Sequence, residues 1–431
     1  MGAAAAAPGA PAVGAAAAAP GAPAAYRACS AAAIEADVRY FADDRLEGRG
    51  LGSPGLEEAL RAVARRFADL GLEPPPSSAG RGEAGLAGAG DGDPLEAYLQ
   101  PFTPPGHPPT ANVIGLLPGA AERTPRAIVL GAHIDHLGRD TTLAGDQIYN
   151  GADDNASGVA ALLAVAEVLA GRAPGDRDRA VVFAVFSGEE LGRLGSRHFV
   201  EHPVVPNDEL LAMVNLDTVG RLRDGRLYAL GSATAREFPA LLAGLNQSAG
   251  FDLVLSEEGT TGSDQASFLE RGIPVLHFFT GPHEDYHRVT DEAERIDFAG
   301  LAAISDHVAE LIRYLRYRDR PFTFVPACAE TRRRAEALVG APPRRVSLGF
   351  MPDFAGDSGG VKVAAVSPGG AAEKAGIRPG DVVVAIDGEL VGTLVEYTAA
   401  LRGHAPGERV RVSLDRGGEP LDLEVEVQER K

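Results

Sequence analysis

The sequence predicts an α/β domain with a largely parallel sheet, followed by a small β-rich domain. Three observations carry this. Between residues 31 and 320, apolar β-type runs alternate with helical patterns. Clusters of polar residues sit just beyond several of the apolar runs, where α/β sheets build their sites. From about Val346 the texture changes to short strands, Gly/Pro turns and one short helix.

Residues 1–30 form a low-complexity leader, and 1–25 are almost only Ala, Gly, Pro and Val. That stretch has no basic n-region, and its prolines interrupt any apolar helix, so it reads as a disordered leader rather than a convincing signal peptide. Residues 56–72 have the pattern of an amphipathic helix, and the Gly/Pro/Ser-rich segment 75–110 reads as a surface loop. Strand-like runs follow at 112–117, 127–130, 180–186, 211–216, 227–230 and 274–279. Helices are expected near 156–170, 191–200, 235–247 and 265–271. The last helix of this unit places Phe298, Leu301, Ile304, Val308, Leu311, Ile312 and Leu315 on one apolar face that docks on the sheet. Residues 321–345, rich in Pro, Arg and Ala, read as a linker, and 346–431 as the second domain.

Apolar residues make up 45% of the 431, enough for a sizeable core. The formal charge of −19 argues against a nucleic-acid partner, whose phosphates would be repelled. No apolar run reaches the ~20 residues that span a bilayer. Two cysteines, Cys29 and Cys328, imply no disulfide framework and read as free thiols.

Four polar clusters carry the chemistry. In GAHIDH, His133 and Asp135 share a face if the segment stays extended, and a histidine ligand needs an acceptor on its second ring nitrogen. In YNGADDNASG, Asp154 reads either as part of a helix N-cap or as a carboxylate that bridges two cations. In SGEE, a buried strand runs into Glu189 and Glu190. Such a pair can complement a helix dipole, or divide metal binding and proton transfer between its two members. Asp217 ends the strand in VNLD, and Tyr286 and His287 lie in HEDYHRVTD. Two histidines with three acidic residues form a mixed nitrogen and oxygen set that suits zinc.

The order HxD, GADDNASG, SGEE, NLD and YH resembles the M28 family of co-catalytic zinc aminopeptidases, related to the bacterial leucyl aminopeptidases. The resemblance runs over about residues 35–318 and includes the leading segment DDRLEGRGLGSPG. It implies a three-layer zinc-peptidase fold and two Zn2+ ions. His133 and Asp217 would bind one ion, Glu190 and His287 the other, and Asp154 would bridge them. Glu189 would be the general base, Asp135 would orient His133, and Tyr286 would stabilise the tetrahedral intermediate. The resemblance also implies a cis peptide between Asp154 and Asn155, and action outside the cytoplasm. Gln265 stands where many members carry His, and its neighbour Asp264 is a candidate partner for the metal ligands or the substrate ammonium. The 75–110 segment is too short for the protease-associated domain of some members.

Residues 346–429 resemble a bacterial-type PDZ domain, most strongly in VSPGGAAEKAGIRPGDVVVAIDGELV. There SLGF resembles the carboxylate-binding loop, so Leu348, Gly349 and Phe350 are the candidate peptide-binding residues, with the Gly349 and Phe350 N–H groups facing a peptide C-terminus. The expected activity is removal of N-terminal residues from peptides with a free N-terminus. A carboxypeptidase or dipeptidase, a one-zinc glutaminyl cyclase and an inactive PDZ scaffold are the rivals.

Overall fold

A computed structural model gives the fold. It describes residues 28–76, 93–120, 126–171, 178–256, 262–325, 346–352, 360–367, 369–392 and 394–429. Most of the leader, most of the linker, Cys328 and the middle of the 75–110 segment lie outside the described residues.

Eight strands form the central sheet: β1 (Leu99–Phe102), β2 (Thr110–Leu117), β3 (Ala127–His133), β4 (Ala180–Phe186), β5 (Leu210–Leu216), β6 (Arg226–Leu230), β7 (Asp252–Ser256) and β8 (Val275–Phe279). Their order across the sheet is β1-β2-β4-β3-β5-β8-β6-β7. The central strands β4, β3, β5 and β8 run parallel, as do β6 and β7, while β1, β2 and the β8–β6 pair are antiparallel.

Period-two alternation sends successive side chains to opposite faces. In β4, Val181, Phe183 and Val185 enter one core, while Val182, Ala184 and Phe186 enter the other. Both faces are covered, so the central strands read as continuous apolar runs. On one face pack α1 (Ala31–Phe41), α2 (Pro54–Asp69), α3 (Gly158–Ala170), α5 (Phe238–Ala249) and α7 (Phe298–Tyr317). On the other lie α4 (Leu194–Glu201) and α6 (Gln265–Leu269), through Phe199 and Phe268. The expected face of α7 is buried, from Leu301 to Leu315. At α2, Ser53 Oγ accepts from Leu56 N and Pro54 takes the first helical position, where its missing N–H costs nothing.

The structure departs from the sequence reading in three places. The end of the 75–110 segment is not a surface loop: β1 pairs antiparallel with β2 at the sheet edge. There the Tyr98 hydroxyl donates to Leu72 O at 2.7 Å. The edge strand β7 and the helix α1 are likewise additional elements.

The second domain has its own core, built around Val346, Leu348, Val363, Val383, Val412 and Val425. Its strands are β9 (Val346–Ser347), β10 (Phe350–Pro352), β11 (Val361–Val366), β12 (Val382–Ile386), β13 (Glu389–Leu390), β14 (Arg409–Arg416), β15 (Glu419–Glu426) and β16 (Gln428–Glu429). All of their pairings are antiparallel. Two short helices, α8 (Ala371–Ala375) and α9 (Leu394–Ala400), complete it. Among the described residues, no helix is long and apolar enough to cross a membrane.

Candidate metal centre

The carboxyl ends of β3, β4, β5 and β8 meet along one edge of the sheet, and each delivers polar groups there. His133 is the last residue of β3, the Glu189–Glu190 pair follows β4, Asp217 follows β5, and His287 lies in the loop after β8. Asp154 comes from a wide turn, Ala152–Ser157, just before α3. Asp154 and Asn155 are joined there by a cis peptide bond, as the resemblance implied.

Asp154 stands in the middle of the cluster. Its Oδ1 lies 3.3 Å from His133 Nε2, which is 3.4 Å from Asp217 Oδ1. Its Oδ2 lies 3.1 Å from His287 Nε2, which is 3.3 Å from Glu190 Oε2. One carboxylate therefore turns its two oxygens toward two separate histidine–carboxylate pairs. Two donors ~2.1 Å from one tetrahedral zinc lie roughly 3.4 Å apart, so these spacings suit two ions. His287 Nε2 is buried without a hydrogen-bond partner, which suits a ring nitrogen kept for a cation. The donor set thus fits zinc, and the five residues picked out in the sequence are brought together.

Asp135 does something different from the expectation. His133 Nδ1 donates to the backbone carbonyl of Asp135 at 3.1 Å, while the nearest carboxylate oxygen is 4.0 Å away. The carboxylate instead accepts the N–H groups of Glu189, at 3.1 Å, and Glu190, at 3.3 Å. The strand ends at His133, so alternation no longer governs where Asp135 points. One residue thereby holds both the histidine and the Glu189–Glu190 turn.

His136 is a residue that sequence reasoning missed. Its Nδ1 lies 2.7 Å from Glu190 Oε1 and 3.9 Å from Asp154 Oδ2, and it forms a potential metal-binding trio with them. Asp291 is another: its Oδ2 accepts the N–H of Asp153 at 2.9 Å and of Asp154 at 3.0 Å, fixing the backbone that aims the central carboxylate. Arg49, fully buried, donates to the carbonyls of Phe41, Ile134, Asn150 and Gly151. It ties the leading DDRLEGRG segment to the two loops that carry His136 and Asp154. The signal for His136 was present in the sequence as HxDH.

The electrostatics follow from burial. Burial would raise Asp154, but the neighbouring imidazoles of His133, His136 and His287 hold it well below the usual carboxylate range. Burial pushes the Glu189 carboxyl well above that range against the pull of His133, and Asp264, Glu190 and Asp217 add to the effect. Asp264 is fully buried with neither oxygen hydrogen-bonded, and burial raises it to about 7. The Ser196 hydroxyl that faces it is hydrogen-bonded to Ser267 Oγ at 2.9 Å. The Gln265 side chain accepts from Asn215 Nδ2 at 3.1 Å. Tyr286 stacks on His287 with ring centroids 4.0 Å apart, and burial holds its phenol well above the usual value, hence neutral.

In the second domain, Leu348 is buried and its carbonyl accepts from Ala372 N at 2.6 Å. Gly349 adopts φ 74°, and a Cβ there would sit 3.1 Å from Ala371 N, so glycine suits the turn. Its N–H, expected to face a peptide, is hydrogen-bonded to Ser347 Oγ at 3.0 Å. Phe350 pairs with Val366 in the β10–β11 ladder and packs on Tyr397, ring centroids 5.3 Å apart.

Residues 112–312 match the model of peptidase family M28, and residues 346–427 match that of the PDZ domain. The chain therefore carries an M28 peptidase domain followed by a PDZ domain. It is 28% identical over 173 residues to a probable leucine aminopeptidase of Arthroderma otae, covering 38% of this chain and 45% of the relative. It is 29% identical over 223 residues to aminopeptidase YwaD of Bacillus subtilis, covering 47% and 44% respectively. The chain thus spans about half the length of the curated relatives it matches. Among solved structures it shares its fold with the LapA aminopeptidase of Legionella pneumophila, at a TM-score of 0.54 and 17% identity, over 68% of this chain and 73% of that one.

Proposed function

We propose that the chain is an aminopeptidase with two zinc ions. The observation that carries this reading is the placement of Asp154, whose two oxygens face His133 and His287 separately. His133 and Asp217 would hold one ion, Glu190 and His287 the other, and Asp154 would bridge them. Zinc held there supplies a Lewis acid toward the scissile carbonyl and makes water more acidic.

The chain's own residues do the rest. Glu189 is half-buried beside the cluster and belongs to neither histidine–carboxylate pair, so it is the group free to take a proton from water and return it to the leaving amine. Asp135 holds Glu189 in place through its backbone N–H. Tyr286, neutral and stacked on His287, donates its hydroxyl hydrogen to the oxygen that gains charge as the carbonyl carbon becomes tetrahedral. The free N-terminus of a substrate is a cation, and the carboxylates gathered at the site favour it. The PDZ domain takes peptide C-termini at the Leu348–Gly349–Phe350 turn, and displacing Ser347 Oγ from the Gly349 N–H opens that donor. The reading places the protein outside the cytoplasm, where such an activity meets peptides.

Metal analysis of the zinc-loaded protein tests the reading, with two ions per chain expected and one or none refuting it. Glu189→Gln keeps both ions and loses roughly 100-fold or more in kcat; loss of metal instead would mean that base and ligand have been exchanged. Peptides with a free N-terminus are cleaved, and N-terminally blocked ones are not.

A further inference from the structure

Glu190 has two oxygens, and only one of them faces the His287 side of the cluster. We propose that His136 is a positioning residue for the second metal site, fixing Glu190 so that Oε2 is presented to the ion while Oε1 stays bound to the imidazole. The inference rests on the two-zinc reading above.

Distances separate this role from that of a ligand. The pairs assigned to a shared ion, His133 with Asp154 and Asp217, and His287 with Asp154 and Glu190, are 3.1–3.4 Å apart. His136 Nδ1 lies 2.7 Å from Glu190 Oε1, which is a hydrogen-bond spacing, and 3.9 Å from Asp154 Oδ2. An ionised carboxylate only accepts, so Nδ1 carries the hydrogen. A nitrogen that donates a hydrogen to Glu190 has no lone pair left for zinc.

The ring is held so that it can do this. The His136 N–H donates to Arg49 O at 3.2 Å, and the ring sits edge-on between Tyr149 and His287, with centroids 6.5 Å and 5.6 Å away. Behind it stands Gly151, where a Cβ would lie 2.5 Å from His136 Cδ2, so residue 151 must lack one. The side chain is fully buried, and Nε2 has no hydrogen-bond partner. Among the described residues, the ring's one hydrogen bond is to Glu190. Groups that orient metal ligands in this way typically change metal affinity 10–100-fold when removed.

Asparagine places an amide N–H near the position of Nδ1, glutamine places it near Nε2, and leucine has no donor. Full-length protein is stripped with chelator, and zinc is titrated back by calorimetry, with the bound metal counted by elemental analysis. His136→Leu and His136→Gln should keep the first zinc and bind the second roughly 10–100-fold more weakly. His136→Asn should recover most of that loss. If leucine and glutamine variants bind the second zinc as the native chain does, His136 has no such role. If asparagine is as poor as leucine, a donor at the Nδ1 position is not what the site uses and the assignment is wrong. Should His136→Leu fail to fold, the comparison of glutamine with asparagine decides alone. A native chain that binds a single zinc overturns the two-metal reading, and with it this assignment.

Discussion

Arg49→Met removes a guanidinium that four carbonyls share. Its side chain is fully buried and donates to Ile134 O and Asn150 O, each at 2.7 Å, to Gly151 O at 3.0 Å, and to Phe41 O. Hydrogen bonds to a charged group contribute ~1.5–3 kcal/mol each, so four give roughly 6–12 kcal/mol. Burying the charge opposes this. Burial pushes the Arg49 pKa down to about 10, which at ~1.4 kcal/mol per unit costs about 3 kcal/mol. With partial relaxation around methionine, the variant should lose ~3–5 kcal/mol of unfolding free energy. Arg49→Lys keeps the charge but reaches at most three of the four acceptors, and should lose about 1–3 kcal/mol. Urea unfolding of chelator-treated protein, followed by circular dichroism, measures this without a contribution from metal. A loss under about 1 kcal/mol for Arg49→Met would show that the four contacts are not the clamp described here.

Gly158→Ala should lower the melting temperature although alanine is the better helix former by ~1 kcal/mol, because its Cβ would lie 2.3 Å from Asn155 Oδ1 and 2.5 Å from Leu216 O; a raised melting temperature refutes this. His307 is buried between Phe251 and Phe278, and burial lowers its pKa from 6.5 to about 4. The unfolded chain therefore binds the proton first: stability from this group is full above pH ~6.5 and falls as the pH drops toward 4, by up to ~3 kcal/mol. His307→Leu should flatten that acid limb in urea midpoints measured across the interval, and an unchanged limb counts against it. Deleting residues 346–431 should leave hydrolysis of a short chromogenic aminoacyl substrate within about tenfold of the full chain, since the two domains have separate cores; loss of activity in a folded, zinc-binding fragment would make the PDZ domain part of the active site.

The central strands were legible because both of their faces are buried. Ala180–Phe186 is apolar throughout, and Leu210–Leu216 is apolar except for Asn215. β1 was hidden because it has four residues, one of them Pro101. Its support comes from across the sheet, where Asn112 Nδ2 donates to Gln100 Oε1 at 3.0 Å. α1 begins with Ala31–Ala33, which continue the Ala-rich composition of the leader and mask the helical pattern that follows. β7 is only partly buried and carries little pattern. At the site, residue types and spacing gave the ligand candidates, but orientation could not be read from them. Alternation put Asp135 beside His133, and His136 drew no assignment. The chain leaves the strand after His133, and the assignment of contacts changes with it. Asp291 and Arg49 act through backbone groups, which no side-chain motif records.

The order in which the sheet is made has a consequence for the cell that makes it. His133 ends β3 near the middle of the sheet, and His287 comes only after β8, 287 − 133 = 154 residues later. At a synthesis rate of roughly 5–20 residues per second, about 8–30 seconds separate the two histidines at the ribosome. Throughout that interval the growing chain carries some of the donors but cannot close the cluster. On the proposed reading, a half-made enzyme is harmless to the free N-termini of other newborn chains around it, and hydrolysis begins only with a chain finished at least through the loop after β8.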